Sequence, residues 1–319
     1  MLNPLAYMNG GIISSIGNFS LGGSKYNGAI TASNGNIYFI PYGGNNILEL
    51  NPITNILTTY STGLTGSNNF DNAVLGANGK IYLAPFNSNR VGEFDPVTKV
   101  FTLVGSVLTG TGGRYNGGAL MSTNNKIYFA PASARQILEF DPSTYTNTLV
   151  GITLSGTGDL FIGAVATPSI NKIHFIPFDS AQILEYNTST GIAAYVGSVL
   201  TGTAKYVGAT KAPNGNIYCV PYNATQTLEI NPITNITNLV GPILLGSNKY
   251  AGSILHPNGK IYLIPYTAFY ISQFDPTTYS YSNIGGYYSL ASKWYNGAIL
   301  NGKMYFAPYN ATNILKINI

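Results

Sequence analysis

Five glutamates recur at the same point of a repeated phrase in this 319-residue chain, and they form its most regular set of chemically active side chains. Carboxylates that share a register could bind a divalent cation or act as general acid and base, provided that two of them converge. Whether they converge depends on the elements that carry them. The set comprises Glu49, Glu93, Glu139, Glu185 and Glu229, and the other two copies of the phrase have Gln273 and Lys316.

The other side chains suited to catalysis or metal binding are few. His174 takes the place of a strand tyrosine such as Tyr128 and is predicted to pack in the core, whereas His256 precedes Pro-Asn-Gly and is predicted to lie in a solvated turn. Cys219, the only cysteine, lies in an apolar run and is expected to be buried. Residues 109–113 look like a phosphate-binding loop but open a strand instead of a helix. We therefore expect no catalytic residue, no metal and no cofactor.

A repeated proline indicates what carries these residues. It ends a short apolar run seven times, at intervals of 43 to 46 residues. Sequence periods in the forties that consist of short β-like runs are typical of propeller blades. The sequence therefore predicts an all-β chain that folds as a seven-bladed β-propeller of four-stranded antiparallel blades. The prolines are Pro41, Pro85, Pro131, Pro177, Pro221, Pro265 and Pro308.

Each repeat contains four predicted strands, which we name A to D from the propeller axis outward. Residues 28–31 exemplify strand A, residues 80–85 strand B and residues 101–105 strand D. Pairs such as Asn34-Gly35 join strands A and B, and they predict two-residue type I′ turns. The glutamates fall on strand C, third from the axis, so they cannot meet at a central site. We expect them to be structural or rim residues.

The spacing of charges predicts the register of the hairpin between strands B and C. If the hairpin is centred in the same way in each repeat, a residue of strand B faces the residue 15 positions later. Lysine then faces aspartate in three repeats, and such directly opposed charges stabilise a hairpin by a few tenths of a kcal/mol when exposed. The predicted pairs are Lys80/Asp95, Lys126/Asp141 and Lys260/Asp275.

The two ends of the chain predict how the ring closes. Residues 314–319 match strand C of the seventh repeat, and residues 11–17 match a strand D. The N-terminal segment is therefore expected to supply the outermost strand of the last blade, which hides the sheet edges of an open array. This arrangement predicts a single propeller domain over residues 11–319, preceded by a short N-terminal arm over residues 1–10.

Composition limits the function classes. Charged residues make up only 8% of the chain, far below the usual quarter. The longest apolar runs are about six residues, whereas a transmembrane helix needs about 20, so we expect no membrane insertion. The N-terminus lacks the basic and apolar regions of a secretory signal. A net charge of +4 spread over a ring is too small to indicate nucleic-acid binding.

An asymmetry of charged and aromatic residues predicts a binding face. The D–A and B–C loops emerge on one face of a propeller, and they contain seven bases and three acids, which accounts for the whole net charge. Five bases closely precede a repeated aromatic residue, and a second aromatic set follows the prolines. Such a mixture suits a glycan or a protein partner, and the alternative is aromatic packing between blades with ordinary rim charges. The candidates are Lys25, Tyr26, Arg114, Tyr115, Lys205, Tyr206, Lys249, Tyr250, Lys293 and Tyr295.

The phrase Asn-Gly-Lys-Ile-Tyr, followed by Ile-Leu-Glu-Phe-Asp-Pro-x-Thr, resembles the repeats of the broad group of kelch, NHL and streptogramin-lyase-like seven-bladed propellers. The resemblance covers residues 11–319 and implies the architecture. Kelch repeats carry a Gly-Gly pair with a spaced Tyr and Trp, whereas this chain has one tryptophan, Trp294, and no such regular pair. Streptogramin-lyase-like enzymes would require a catalytic histidine and an axial metal, but His174 and His256 lie in different repeats. The resemblance therefore implies no functional residues.

These observations favour a non-enzymatic recognition or assembly module. A low-charge chain rich in Asn, Gly, Thr and Tyr suits a component of a virion, a phage or an extracellular surface that binds a glycan or a protein through the D–A/B–C face. The alternative is a cytoplasmic scaffold for protein interactions. A lyase or hydrolase with a site at the axis is a third hypothesis.

Overall fold

Seven antiparallel sheets make up the described part of the chain. The computed structural model describes residues 6–8, 11–110 and 112–319, and within them it has 29 strands and one short 3-10 helix, Pro168–Ile170. Six sheets have four strands that are sequential in the chain, and the seventh sheet joins the two ends of the chain. The predicted seven-bladed β-propeller is confirmed.

Strand A is the innermost strand, because the A strands of neighbouring blades contact one another around the axis. Strand B ends at the repeated proline, which has no N–H for a ladder hydrogen bond. We number the blades 1 to 7 in chain order. The A strands are β3 (Tyr26–Thr31), β7 (Phe70–Leu75), β11 (Tyr115–Met121), β15 (Phe161–Thr167), β19 (Tyr206–Lys211), β23 (Tyr250–Leu255) and β27 (Trp294–Leu300). The B strands are β4 (Ile37–Pro41), β8 (Ile81–Pro85), β12 (Lys126–Pro131), β16 (Lys172–Pro177), β20 (Ile217–Pro221), β24 (Ile261–Pro265) and β28 (Lys303–Pro308).

Strands C and D form the outer half of each blade. The C strands are β5 (Asn46–Leu50), β9 (Val91–Phe94), β13 (Ile137–Asp141), β17 (Ile183–Asn187), β21 (Thr227–Ile230), β25 (Ile271–Phe274) and β29 (Ile314–Asn318). The D strands of blades 1 to 6 are β6 (Leu57–Ser61), β10 (Phe101–Val104), β14 (Thr146–Val150), β18 (Ile192–Val196), β22 (Thr237–Val240) and β26 (Tyr281–Ile284). Two N-terminal strands complete blade 7, β1 (Ala6–Met8) and β2 (Gly11–Ile16).

The N-terminal strand β2 closes the ring as predicted. It pairs antiparallel with β29, and Ser15 lies opposite Leu315. The strand β1 pairs in turn with β2, so the last sheet has five strands where four were predicted. Most of the predicted arm, residues 1–5 and 9–10, lies outside the described residues.

Strand B is buried on both faces, which explains why its residues are apolar without alternation. In β12, Ile127 and Phe129 share an apolar cluster with Tyr82 of blade 2, whereas Tyr128 shares one with Ile173 of blade 4. Burying one such side chain contributes about 1.5–3 kcal/mol. The apolar cores therefore lie between blades, and each blade depends on its two neighbours.

The turn between strands A and B differs from the predicted type I′ turn in blade 1. The N–H of Ala32 donates to the carbonyl of Asn36, so the turn has three residues, of which only Gly35 has a positive φ, +77°. The Nδ2 of Asn34 instead donates to the hydroxyl of Tyr38 at 2.7 Å. A buried tyrosine hydroxyl needs such a partner.

The same asparagine-to-tyrosine hydrogen bond recurs in blades 2, 3, 5 and 6. This side-chain contact explains why asparagine is repeated in these turns, which the prediction attributed to its tolerance of positive φ. The predicted two-residue turn is found in blade 7, where Asn301 and Gly302 have φ values of 49° and 72°.

The lysines of strand B have different ionic partners from the predicted ones. The register is as predicted, with Lys172 opposite Asn187. The long lysine side chain nevertheless reaches the glutamate diagonally across the hairpin, as for Lys80 and Glu93 at 2.7 Å. Only blade 6, which has glutamine in place of this glutamate, forms the predicted ion pair, Lys260–Asp275. All three aspartates also cap the C–D turn, where each accepts a backbone N–H at 2.8 to 2.9 Å, as Asp95 does from Val97.

Side chains of the C–D turn extend this glutamate network to the preceding blade. Lys99 of blade 2 donates to Glu49 of blade 1 at 2.7 Å, and the Tyr279 hydroxyl of blade 6 donates to Glu229 of blade 5 at 3.2 Å. The glutamates thus have structural partners both within and between blades.

Candidate functional site

A β-bulge in every strand A turns one side chain toward the axis. In β11 the pairing with strand B shifts by one residue between Tyr115 and Gly118, and the other A strands shift at the same point. Bulges of this kind re-aim side chains. The residue that follows the repeated aromatic therefore reaches the axis in each blade, namely Asn27, Asp71, Asn116, Ile162, Val207, Ala251 and Tyr295.

The next residue of strand A lies where neighbouring strands approach most closely. A Cβ at Gly163 would lie 3.2 Å from the Cα of Gly208, and a Cβ at Gly252 would lie 2.8 Å from the Cα of Asn296. Gly163 and Gly252 also have positive φ values of 83° and 94°. Glycine satisfies both constraints, and it lets the A strands close tightly around the axis.

The aromatic residues that follow the prolines form an arc around the axis on the D–A/B–C face. Their rings are partly exposed, and neighbouring ring centroids lie 5.6 to 6.0 Å apart, in the range of favourable tilted contacts. Ala132 leaves a gap in the arc at blade 3. The arc consists of Tyr42, Phe86, Phe178, Tyr222, Tyr266 and Tyr309.

The bulged residues and the arc enclose an axial pocket of about 160 Å³. Its floor is polar on one side and apolar on the other. Blades 1 to 3 supply the polar residues, Asn27, Asp71 and Asn116. Blade 4 supplies the apolar residue Ile162, which shares a cluster with the buried Val207 and Ala251, and Tyr222, Tyr266 and Tyr295 pack against this cluster.

Asp71 is the carboxylate of the pocket floor. It is 4% exposed, its Oδ2 accepts from the Nδ2 of Asn116 at 2.8 Å, and its Oδ1 has no hydrogen-bond partner among the described residues. Burial and the nearby carboxylate of Asp159 raise the pKa of Asp71 well above its usual range. In the described part of the chain, no lysine or arginine lines the pocket. The axial pocket thus has an acidic lining within a face of positive formal charge.

Three tyrosines of the pocket, Tyr42, Tyr295 and Tyr309, remain neutral at physiological pH. Burial raises the pKa of Tyr309 to about 12, and it raises the pKa values of Tyr42 and Tyr295 as well. The pocket therefore presents ring faces and neutral hydroxyl groups beside two acidic side chains, Asp71 and Asp159.

The predicted basic residues bind their own loops. Lys205, Lys249 and Lys293 are almost fully buried, and the Nζ of each donates to a backbone carbonyl of the preceding D–A loop at 2.7 to 2.9 Å. Lys25 and Arg114 also donate to loop carbonyls. Burial lowers the pKa of Lys249 and of Lys293 to about 8. These cations therefore stabilise the loops, and their charged ends do not reach the axial pocket.

The predicted aromatic candidates pack between blades, with one exception. Tyr115, Tyr206 and Tyr250 are buried, and Tyr26 makes an edge-on contact with a core phenylalanine. In blade 7 it is Trp294, and not Tyr295, that faces the repeated proline. The prediction aligned Tyr295 with the packed set because the two aromatic residues are adjacent.

Tyr295 is instead the bulged residue of blade 7, and it lines the axial pocket. Among the ten predicted site residues, it is the one that the structure brings to this pocket. The sequence signal that identifies Asp71 is its place directly after a repeated aromatic, where blades 1 and 3 have asparagine.

The two histidines and the cysteine are structural. His174 is fully buried, as predicted, with its Nε2 3.3 Å from both Glu185 and Asn235. The prediction for His256 was wrong, because it is buried and its Nε2 lies 3.0 Å from the carbonyl oxygen of Gly302 in the next blade. Cys219 is buried as predicted, and burial raises the pKa of its thiol.

Three solved structures are similar to this fold at low sequence identity. A streptogramin B lyase is 17% identical with a TM-score of 0.80, and the match covers 97% of each chain. A catalytically inactive histidine-to-alanine variant of virginiamycin B lyase from Staphylococcus aureus, with quinupristin, is 13% identical with a TM-score of 0.80, covering 97% of this chain and 99% of that one. The extracellular domain of a one-component system from B. thetaiotaomicron is 11% identical with a TM-score of 0.70, covering 92% and 40%.

These likenesses establish the propeller architecture, with streptogramin B lyase-like propellers among its structural neighbours. No family model and no curated protein matches the sequence. Across the described residues, no helix is long and apolar enough to cross a membrane, and no three His, Cys, Asp or Glu side chains are grouped as a metal site.

Proposed function

We propose that this chain is a non-enzymatic recognition module that binds a glycan or a protein through its D–A/B–C face, centred on the axial pocket. The observation that carries the proposal is the arc of partly exposed aromatic rings around the axis. Exposed tyrosines offer flat amphipathic area at a small cost in conformational entropy, and they are enriched in binding sites.

The chemistry of the axis supports recognition over catalysis. The described residues that line the pocket include two carboxylates, Asp71 and Asp159, but no histidine, cysteine or lysine. Both histidines have structural contacts elsewhere. The likeness to lyases extends to the fold, and we take the two axial carboxylates as binding groups and not as a general acid and base.

We further propose that the protein acts on the surface of a virion, a phage or a cell, where a low-charge and tyrosine-rich face can meet glycans or an assembly partner. Exposed aliphatic residues at the outer turns, such as Ile53, Val97 and Ile233, are consistent with assembly contacts. A cytoplasmic scaffold would use the same face and would differ in its partner.

The test combines a glycan array with site-specific photo-crosslinking in the cells that produce the protein. A crosslinker at position 222 probes the arc, and one at position 195 probes an exposed tyrosine on outer strand β18. On the array, we expect glycan binding that is lost in the double variant Tyr222→Ala/Tyr266→Ala and kept in Tyr195→Ala. In the crosslinking experiment, we expect a discrete product from position 222 and none from position 195. Either result supports the proposal. The absence of both signals, or turnover of a substrate at the axis, would contradict the proposal.

A further inference from the structure

The carboxylate of Asp71 has one hydrogen-bond donor, Asn116, and no contact among the described residues explains its charge. Its Oδ1 is buried without a hydrogen bond among the described residues, and no described basic side chain lines the pocket. Blades 1 and 3 have asparagine at the same bulged position. The fold therefore accepts a neutral amide there, and the carboxylate of blade 2 requires another explanation.

We propose that the axial pocket binds an alkylammonium group, with Asp71 as its counter-ion and the surrounding tyrosine rings as its walls. This inference deepens the proposed function and rests on it, since it names the chemical group of the partner that the D–A/B–C face would recognise.

The walls of the pocket have the chemistry that attracts an organic cation. The ring centroids of Tyr266, Tyr295 and Tyr309 lie 5.6 to 5.9 Å from one another, and the ring of Tyr42 lies 5.9 Å from that of Tyr309. Clustered aromatic faces bind ammonium groups through their quadrupoles, and the attraction grows when the cation is desolvated. Ile162 and the tyrosine rings provide a surface for the methyl or methylene groups of the cation.

The volume of the pocket limits the part of a ligand that it can hold to a single headgroup. This volume of about 160 Å³ is well below the roughly 300–1,000 Å³ of pockets that enclose a whole drug-sized molecule. The remainder of the ligand would extend over the partly exposed arc.

A hard metal ion fits less well. Such ions prefer several carboxylate and carbonyl oxygens, and the described residues contain no group of three metal-binding side chains. An anion is disfavoured by Asp71 and Asp159, which both line the pocket.

Binding of the cation is expected to be linked to proton release. Because burial and Asp159 raise the pKa of Asp71, the free pocket keeps this proton to a higher pH than an exposed aspartate does, and a bound ammonium group would favour its release. The groups that face Asp71 are Asn27, Asn116, Asp159 and the tyrosines of the pocket, so none of them supplies a competing positive charge.

The probe is choline, compared by isothermal titration calorimetry with 3,3-dimethylbutan-1-ol, which has the same shape without the charge. Butylammonium distinguishes a primary from a quaternary preference, and Ca²⁺ tests the metal alternative. We expect choline or butylammonium to bind at one saturable site. The neutral alcohol should bind at least about tenfold more weakly. The apparent affinity for the ammonium compound should rise with pH.

Asp71→Asn is the decisive variant. It creates the side chain that blades 1 and 3 already carry at this position, so the fold is expected to be retained. We expect it to weaken ammonium binding about tenfold or more and to remove the linked proton release. Asp95→Asn is the matched control, because asparagine already caps the C–D turn in other blades, as Asn51 does. It removes the same charge far from the axis and should leave binding unchanged.

Three outcomes would overturn the inference: no saturable ammonium binding at tens of millimolar, equal binding of the neutral alcohol, or Ca²⁺ binding that depends on Asp71 in place of ammonium binding. Its failure is distinguishable from failure of the proposed function. Crosslinking from position 222 without ammonium binding would leave the recognition face intact. Ammonium binding without any crosslink or array signal would support the pocket and contradict the wider face.

Discussion

The glutamates of strand C and the aspartate at the axis have opposite surroundings. Burial alone would raise the pKa of Glu185, but His174 and Lys172, at 3.3 and 2.9 Å from its Oε2, lower it to about 2. Asp71 is more deeply buried, it has a single donor, Asn116, and burial together with Asp159 raises its pKa. The comparison shows that burial and the nearby charges together set the pKa of these carboxylates. Lys172 lies 2.9 Å from Glu185, whereas no described lysine or arginine lines the pocket of Asp71.

Loss of a strand-C glutamate should have the largest effect on stability. Glu229 accepts from Tyr218 at 2.7 Å, from Asn216 at 2.9 Å and from Tyr279 at 3.2 Å. Glu229→Leu removes the acceptor that these donors share, and we expect the free energy of unfolding to fall by about 2–3 kcal/mol in urea titrations. The control is Glu229→Gln, because blade 6 already uses Gln273 to accept from Tyr262 at 3.0 Å. An equal loss in both variants would contradict the hydrogen-bond explanation.

The axial aspartate should respond in the opposite direction. Asp71→Asn removes a buried carboxylate that has a single donor, Asn116, and we expect stability to rise by about 1–2 kcal/mol at pH 7. Because the pKa of Asp71 is raised in the folded state, the native protein holds this proton longer than the unfolded chain does. Stability of the wild type should therefore fall as pH rises from about 4 toward the folded pKa, relative to the variant. A difference that is independent of pH would contradict this assignment.

Loss of the ion pair between blades 1 and 2 should have a smaller effect on stability. Lys99 donates to Glu49 and to the Tyr38 hydroxyl, at 2.7 and 2.6 Å, but its side chain is partly exposed. We expect Lys99→Met to cost about 1 kcal/mol at low salt, and less at high salt, because exposed ion pairs are screened. Urea titrations at two ionic strengths measure both values. A loss that salt does not change would indicate packing in place of an ion pair.

The buried bases of the D–A loops should matter least. Lys249 has one loop carbonyl as its acceptor, and blade 4 has Leu160 at the same position before its repeated aromatic. Lys249→Leu should change the free energy of unfolding by no more than about 0.5 kcal/mol, since lost hydrogen bonding and relieved burial of charge offset each other. Choline binding should be unchanged. A large loss of choline binding would indicate that Lys249 contacts the ligand and would contradict its assignment as a loop residue.

The architecture could be predicted from the sequence because it depends on repetition. The proline spacing counts the blades, and residues 11–17 match strand D of other blades, so closure by the N-terminal strand follows. The register of the B–C hairpin is also confirmed. Its ionic partners could not be predicted from facing pairs, because Lys80 reaches diagonally to Glu93 and leaves Asp95 to cap a turn.

The site was harder to predict because side-chain direction is not visible in composition. Lys205 and Lys293 have sequence positions that suggest a basic face, but their flexible chains bend to loop carbonyls. Because Trp294 and Tyr295 are adjacent and both aromatic, the sequence does not show which of them is the bulged residue. The bulge that aims Asp71 at the axis depends on the pairing of strands A and B, which becomes visible only in three dimensions.

The titration of Asp71 tests the central claim most directly. The chain has only six aspartates, Asp71, Asp95, Asp141, Asp159, Asp179 and Asp275, so ¹³C-labelled aspartate gives a resolvable carboxyl spectrum in which Asp71→Asn identifies the resonance. We predict that the Asp71 carboxyl titrates well above the usual range in the free protein and that saturating choline lowers its pKa. A carboxyl that titrates with the exposed aspartates and does not respond to choline would contradict the claim that this pocket holds an acidic group for an organic cation.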